Sequence, residues 1–151
     1  MSDNSAAPPP PPPPLSDEAI ARIPYARFLG LRLHSHEDGQ PPVLVMPFSA
    51  HLIGNPMLPA LHGGTSAAFM ELTAFITLAL QEPRAHLPRP INVTIAYLRS
   101  GRALDTFARA RTSKVGKRIA HVEVEAWQRD EAEPIARLQA HFMLAETTNT
   151  T

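Results

Sequence analysis

The segment from Leu58 to Phe75 reads LPALHGGTSAAFMELTAF and holds one acidic residue, Glu71, among apolar and small residues. In a helix, no Lys or Arg would lie three or four residues from Glu71, so its carboxylate would have no local partner. An unpaired carboxylate in apolar surroundings is costly. Two interpretations follow. Glu71 either emerges at a wetted edge, or it is a poorly solvated base or nucleophile beside small residues that leave room for a substrate.

The tripeptide His62-Gly63-Gly64 supplies a second chemical element. Glycines at a helix start let the backbone approach a ligand closely, and the N–H groups of the first turn point outward. Gly63 and Gly64 could therefore bind an oxyanion, although glycine pairs also form ordinary tight turns. We expect His62 to fix the loop as a hydrogen-bond donor rather than to act as a base.

The spacing of these two elements has a consequence for assembly. Gly63 and Glu71 are eight residues apart in the sequence, which is about 12 Å along a helix. They cannot reach the same carbonyl carbon within one chain. If both act in one reaction, the amide and the carboxylate come from different chains, and the sequence predicts a homodimer as the minimal active unit.

The elements that position these residues follow from periodicity and turn signals. Ser16 is a predicted N-cap of a short helix that Pro24 ends. Strands are predicted at 29–36 and 43–46, an ordered loop at 49–61, and a long helix from Gly63 to Gln81. Four further strand patterns follow, namely INVTIAYLR, ALDTFARARTS, RIAHVEVEAWQ and PIARLQAHFMLAE.

This order predicts the fold class. A helix that is apolar on nearly every side must be enclosed, and a curved antiparallel sheet is the simplest enclosure. We therefore expect an α+β domain with about six strands wrapped around one long central helix. The domain should span residues 16–147, with a disordered proline-rich tail at 1–15 and a disordered end at 148–151. The proline run at 8–14 is best explained as a stiff spacer, with an SH3-type ligand as the alternative.

Composition excludes several functional classes. Lys plus Arg and Asp plus Glu both total 14, so charge points neither to nucleic acid nor to an anionic membrane. Cysteine is absent, which excludes thiol chemistry and suits a cytoplasmic location. The N-terminus lacks the pattern of a secretion signal, and the apolar segment 67–80 is too short and too interrupted to predict a membrane span.

From the proline tail onward, the chain resembles the hotdog-fold acyl-CoA thioesterases of the phenylacetate-pathway type. The resemblance rests on IPYARFLGLRL, GNPMLPALHGG, the acid at position 71, INVTIAYLR and KVGKR, in this order and spacing. It implies that dimers join their sheets edge to edge and that homotetramers are common. It also implies hydrolysis of an acyl-CoA with an aryl or medium acyl group, with neither a metal nor a cofactor beyond the CoA of the substrate.

The same resemblance assigns roles to residues. Gly63 would donate its backbone N–H to the thioester oxygen, and Glu71 of the neighbouring chain would be the nucleophile or the base that activates water. Asn55 is the candidate for the amide side chain that the family often has before HGG, one residue too far upstream. The family's water-positioning residues are replaced by Phe75 and Pro90, which leaves Asn92 and Thr94 as substitutes.

Half of the basic residues fall between Arg99 and Arg118. Arg109 and Arg111 are predicted to pair with Glu123 and Glu125 on the next strand. The basic residues at the turn have two possible roles: they bind the CoA phosphates, or they form a solvated hairpin tip. These residues are Lys114, Lys117 and Arg118.

Two other functions stay open at this stage. HLIGNPMLP resembles a stretch of hotdog dehydratases in which His51 would be the base, but their helical Glu falls where this chain has Thr65. The second of these other functions is that of a non-catalytic acyl-CoA-binding module. The pair His34-x-His36 and the scattered remaining histidines lack a nearby carboxylate or Cys pattern, so no metal site is expected.

Overall fold

The structure is a computed structural model that describes residues 14–83 and 86–144. Its helices are α1 (Asp17–Ala21), α2 (Pro24–Phe28) and α3 (Gly63–Gln81). The strands are β1 (Arg32–Ser35), β2 (Val43–Met46), β3 (Ile53–Asn55), β4 (Ala60–Leu61), β5 (Arg89–Tyr97), β6 (Thr106–Val115), β7 (Ile119–Trp127) and β8 (Ala136–Met143). The predictions for residues 1–13, which hold all but the last residue of the proline run, and for residues 148–151 fall outside the described residues.

Six strands form one antiparallel sheet in the order β1-β2-β6-β7-β8-β5, and α3 packs against its inner face. Alternate residues of β6, β7 and β8 are buried beneath the helix, and Phe69, Phe142 and Leu44 are among the largest fully buried side chains. The predicted α+β fold, with six strands and one long central helix, is confirmed.

The long helix α3 is enclosed on one side only. The buried side includes Phe69, Thr73 and Leu78, which pack toward the sheet. The opposite side forms a stripe of half-exposed or exposed residues at helical spacing, consisting of Gly64, Ala67, Ala68, Glu71, Leu72, Phe75 and Ala79. Within one chain, the expectation of enclosure on nearly every side is therefore wrong for this face.

By length and composition, α3 is the one helix within 14–83 and 86–144 that could cross a membrane. Eight of its residues are nevertheless buried in the domain, and 44% of its most apolar window lies inside the protein. A core helix of a soluble domain passes the same test, and the packing of α3 on the sheet identifies it as such a core helix.

Two local predictions need correction near the N-terminus. Pro24 ends α1 but also occupies the first position of α2, a helix that sequence patterning missed. Gly30 follows α2 with φ of 72°, and its N–H and that of Leu31 close a Schellman motif on Arg27 and Ala26. Strand β1 therefore begins at Arg32 rather than at Leu29.

The predicted loop 49–61 also contains regular structure. A 3₁₀ turn (Ala50–Leu52) leads into a small hairpin, in which β3 pairs with β4. Such short pairings have no periodic sequence signal, because Gly54, Pro56 and Pro59 dominate the segment.

The face of the sheet turned away from α3 is called the outer face below. Arg109 lies opposite Glu125 and Arg111 opposite Glu123, so the predicted register is confirmed. The ion pairs formed are different, since Arg109 contacts Glu131 and Arg137 contacts Glu125. Arg109 also lies over the ring of Trp127, at 5.7 Å from the ring centroid.

Candidate active site

The start of α3 presents the candidate oxyanion donor. His62 is the N-cap of this helix, and its Nδ1 accepts a hydrogen bond of 3.0 Å from the Gly64 N–H. The ring therefore acts as an acceptor, with its proton on Nε2 in the neutral form, rather than as the expected donor. Because this bond occupies the Gly64 N–H, Gly63 is the candidate donor that the turn leaves open.

The Gly63 N–H finds no acceptor among residues 14–83 and 86–144. It belongs to the same peptide group as the His62 carbonyl oxygen, which accepts from the N–H groups of Thr65 at 3.0 Å and Ser66 at 3.3 Å. Acceptance at the oxygen polarises the peptide and strengthens its N–H as a donor. The amide also lies at the positive end of the α3 dipole. This arrangement suits a developing negative charge on an oxygen.

Three backbone contacts hold this turn in place. The His62 N–H donates to the Leu52 carbonyl oxygen, and the Leu61 N–H donates to the Gly101 carbonyl oxygen, both at 2.9 Å. Gly54 packs so closely that a Cβ atom there would lie 2.7 Å from the His62 Cα. Gly54 was not singled out from the sequence; only its glycine identity, two residues after Leu52, hinted at a close approach.

Tyr97, at the end of β5, is the main residue that sequence reasoning missed. Its hydroxyl donates a hydrogen bond of 2.8 Å to the Gly63 carbonyl oxygen. A Cβ atom on Gly63 would lie 3.2 Å from the Tyr97 ring and hydroxyl. The two residues are 34 positions apart. The alternation along β5 placed Tyr97 on the same face as Ile95, but nothing local identified its partner.

A groove of about 410 Å³ opens beside this turn. Its lining includes Gly63, Ser66, Tyr97 and Arg99. Arg99 is held at one edge by a hydrogen bond of 2.7 Å to the Pro134 carbonyl oxygen. A second cleft of about 400 Å³ lies among charged side chains of the outer face, such as Arg111. Because the sheet separates that cleft from α3, the groove beside Gly63 is the candidate substrate site.

Glu71 lies two helical turns beyond Gly63 on the half-exposed stripe of α3. It makes no hydrogen bond or ion pair with any residue that the structure describes. Since α3 is continuous from Gly63 to Gln81, the separation of about 12 Å expected from helical rise holds. The structure therefore does not bring Glu71 and the Gly63 amide together within one chain.

Asn55 has a local structural contact. Its Oδ1 accepts a hydrogen bond of 3.0 Å from the Met57 N–H, which stabilises the turn between β3 and β4. The residue is exposed in the chain. Its side-chain oxygen is thus occupied by the turn, and the structure shows no contact between Asn55 and Glu71.

Asn92 and Thr94 do not face the helix. They lie opposite His141 and Gln139 on β8, and directly opposite residues share one face of a sheet. Their partners alternate with the buried Ala140 and Leu138, so both pairs are on the outer face. A β-bulge between Pro90 and Asn92 sets this orientation. Within one chain, these two residues are not placed to hold a water molecule for Glu71.

The candidate phosphate-binding residues Lys114, Lys117 and Arg118 lie around the β6–β7 turn. The Thr112 hydroxyl donates to the Gln81 side-chain oxygen at 2.8 Å, so this turn is near the C-terminal end of α3. Gly63 is at the other end, about 27 Å away along the helix axis. Within one chain, the basic turn and the Gly63 amide therefore lie at opposite ends of α3.

His51 lies on the 3₁₀ turn, where its Nδ1 is 2.8 Å from the Ser49 hydroxyl. Its ring meets Phe28 edge to face, with centroids 5.5 Å apart. The position at which a dehydratase would need its helical Glu is Thr65, and this residue lies in the first turn of α3. No described contact joins His51 to an acidic residue.

Comparison with known proteins identifies the family of the chain. The sequence model of the Thioesterase superfamily matches residues 58–135, which is more than half of the 151 residues. A protein of known structure from Chromobacterium violaceum is 35% identical, with a TM-score of 0.70, and the match covers 86% of this chain and 89% of that one. Among curated proteins, the comparison found no match.

Two more distant structures share the fold. A thioesterase from Haemophilus influenzae is 16% identical, with a TM-score of 0.77 and coverage of 91% of this chain and 96% of that one. A phenylacetic acid degradation-related protein from Ralstonia eutropha is 18% identical, with a TM-score of 0.71 and coverage of 81% and 91%. The chain belongs to the thioesterase superfamily. This membership supports thioester hydrolysis in general as its activity.

Proposed function

We propose that the protein hydrolyses an acyl-CoA thioester, with an aryl or medium acyl group, to the free acid and CoA in the cytoplasm. The observation that carries this proposal is the presence, on one helix of a thioesterase-superfamily chain, of an open, polarised Gly63 amide and of a carboxylate, Glu71, that has no partner among the described residues. No metal or cofactor is needed, because a thiolate is a good leaving group and the amide stabilises the oxyanion.

The reaction centre is assembled from two chains. If Gly63 of one chain and Glu71 of its partner face each other, a two-fold axis makes the reciprocal contact as well, and the two copies of α3 run antiparallel. The axis then passes beside Ala67, midway between Gly63 and Glu71. The residues of the stripe nearest to this axis are Gly64, Ala67 and Ala68. Small side chains allow two helices to approach closely.

The edge of the sheet supports the same assembly. Strand β5 has a neighbour on one side only, because β8 is its partner and no other described strand lies beyond it. Its exposed apolar side chains include Ile91 and Val93, at 48% and 36% exposure. Unpaired apolar edges favour strand addition. Antiparallel pairing of β5 with its copy would produce the homodimer, and a homotetramer would need a second contact.

The chemistry follows from these positions. The Gly63 N–H binds the thioester oxygen while the partner chain's carboxylate at position 71 takes a proton from water, whose oxygen attacks the carbonyl carbon. The C–S bond then breaks, and the thiolate receives the proton. In the alternative route, the carboxylate attacks the carbonyl carbon directly, the C–S bond breaks to release the CoA thiolate, and water then hydrolyses the resulting anhydride to the acid while its proton goes to the thiolate. Single-turnover reaction in heavy-oxygen water separates the routes, since only the anhydride route can label Glu71.

The antiparallel arrangement also explains the position of the basic turn. The C-terminal end of the partner's α3 would lie at the same end of the dimer as Gly63. Lys114 and its neighbours at the turn would then come from the chain that supplies the carboxylate. Arg99 of the first chain borders the groove beside Gly63. The proposal therefore places cations from both chains near the CoA phosphates.

The test incubates the full-length protein with a panel of acyl-CoA substrates. A thiol reagent in the assay detects the CoA that is released. Glu71→Gln should lower kcat/KM by about 10²–10⁴, the range for loss of a general base. Glu123→Gln is a matched control, because this exposed glutamate lies on the outer face. Equal rates for wild type and Glu71→Gln would contradict the proposal.

Two other outcomes would replace the proposed activity. Loss of enoyl-CoA absorbance that depends on His51 would identify a dehydratase or hydratase. Tight CoA binding without turnover of any substrate would identify a binding module.

A further inference from the structure

A row of polar side chains crosses four strands on the outer face of the sheet. It consists of Ser113 on β6, His121 on β7, His141 on β8 and Asn92 on β5. His121 and His141 lie directly opposite each other, and their ring centroids are 4.8 Å apart. We call these four residues the histidine row. The proposed hydrolysis does not use it, because the sheet lies between it and α3.

The hydrogen bonds of the row favour one tautomer of both rings. The Asn92 Oδ1 is 2.8 Å from the His141 Nδ1, and an amide oxygen can only accept, so this Nδ1 carries the proton. The Ser113 hydroxyl lies within hydrogen-bond distance of both the His121 Nδ1 and, at 3.3 Å, the His121 carbonyl oxygen. When its proton goes to the carbonyl, its oxygen accepts from Nδ1, and both neutral rings then keep their lone pair on Nε2.

Two imidazole lone pairs from directly opposite strand positions are a donor set that borderline divalent metals bind. With metal–nitrogen bonds of about 2.1 Å at a near-tetrahedral angle, two rings that share one ion have centroids about 5 Å apart. The observed separation of the His121 and His141 centroids, 4.8 Å, agrees with this requirement. Asn92 and Ser113 also make the Nδ1 contacts that typically orient metal-binding histidines.

We propose that His121 and His141 form a two-histidine site for a divalent transition-metal ion such as Zn²⁺, Ni²⁺ or Cu²⁺. His121 is half-buried and His141 is exposed, so an ion reaches both from solvent. No cluster of three or more His, Cys, Asp or Glu suited to a metal occurs in the described part of the chain. Water molecules therefore complete the coordination. The sequence did not suggest this site, because the two histidines are distant in sequence and meet only through the β7–β8 register.

The test is isothermal titration of the full-length protein, prepared without an affinity tag, with Zn²⁺ and with Mg²⁺. Zn²⁺ should bind at one site per chain and Mg²⁺ should not, since imidazole suits the former. His121→Asn and His141→Asn should each abolish the site. Asn92→Ala, which removes only the orienting contact, should weaken Zn²⁺ binding by about 10- to 100-fold.

The matched control removes the other histidine pair, with His34→Asn and His36→Asn in one chain. This variant should bind Zn²⁺ as wild type does. Loss of binding in the control, or wild-type affinity in the double variant of His121 and His141, would overturn the proposal. Circular dichroism of each variant confirms that the sheet is intact. Thioester hydrolysis is measured in parallel, and its presence or absence does not affect this result.

Discussion

The Tyr97 hydroxyl donates a hydrogen bond to the Gly63 carbonyl oxygen, and a Cβ atom on Gly63 would lie 3.2 Å from the same ring. This contact ties the end of the edge strand β5 to the first residue of α3. Glycine suits position 63, because a Cβ atom there would require the tyrosine ring to move by a few tenths of an ångström. The candidate oxyanion amide is therefore fixed by the strand through which the proposed dimer forms.

Tyr97→Phe removes only the hydroxyl from this contact. The free energy of unfolding should fall by about 1 kcal/mol. We expect kcat to fall by about three- to tenfold, which corresponds to a similar loss of transition-state stabilisation. Tyr25→Phe is the matched control, since Tyr25 is exposed and stacks on Phe28 far from α3 in sequence. If both variants had the same kcat and stability, the contact would have no positioning role.

His62 tests the cap of α3. His62→Ala leaves the Gly64 N–H without its acceptor and should lower the free energy of unfolding by about 1 kcal/mol. His62→Asn should restore most of this loss, because an amide oxygen can cap the same N–H. Urea unfolding of the two variants measures the difference. Equal destabilisation would show that the ring contributes through packing rather than as an acceptor.

Gly54 tests the packing beneath the turn. In Gly54→Ala, the new Cβ would lie 2.7 Å from the His62 Cα, so backbone must move, and we expect a loss of about 1–3 kcal/mol. Gly101→Ala is the control, because the three atoms nearest to its Cβ would be side-chain atoms of Leu61 and Ile135, the nearest at 3.2 Å. Thermal unfolding and kcat should both decrease more for Gly54→Ala. A smaller effect at Gly54 than at Gly101 would contradict this explanation.

Mixed dimers test whether two chains share each site. Glu71→Gln and Gly63→Pro subunits should each be inactive alone, because the first lacks the carboxylate and the second lacks the N–H donor at the first position of α3. When they are combined in equal amounts, half of the dimers are mixed, and each mixed dimer holds one intact site. Activity should then recover to about one quarter of wild type.

Recovery in a mixture depends on subunit exchange, so the two variants are also co-expressed with different tags and isolated as heterodimers, which should have about half of wild-type activity. A site contained within one chain gives no recovery, because every chain carries one defect. Size-exclusion chromatography of each parent variant confirms that dimers still form.

Much of the fold could be predicted because its signals are local. The glycine pair and the EPRAHLPRP segment set the bounds of α3, and alternation identified the strands after it. The missed features depend on contacts between distant residues. Tyr97 meets Gly63 across 34 positions, and the hairpin of β3 and β4 lies in a segment without periodicity.

The orientation of Asn92 and Thr94 shows a second limit. Pro90 lies opposite the buried Phe142, so plain alternation would also turn Asn92 and Thr94 toward α3. The bulge after Pro90 inserts one residue and turns both side chains to the outer face. A one-residue irregularity of this kind leaves almost no trace in composition or spacing.

The backbone bonds from the turn before α3 to Leu52 and Gly101 also have a kinetic consequence. One partner precedes the turn by ten residues, and the other follows it by about forty. The start of the helix therefore reaches its final geometry only after the chain beyond β5 has returned to it. During refolding, helical content should recover before enzymatic turnover, because long loops must close before the amide is held in position.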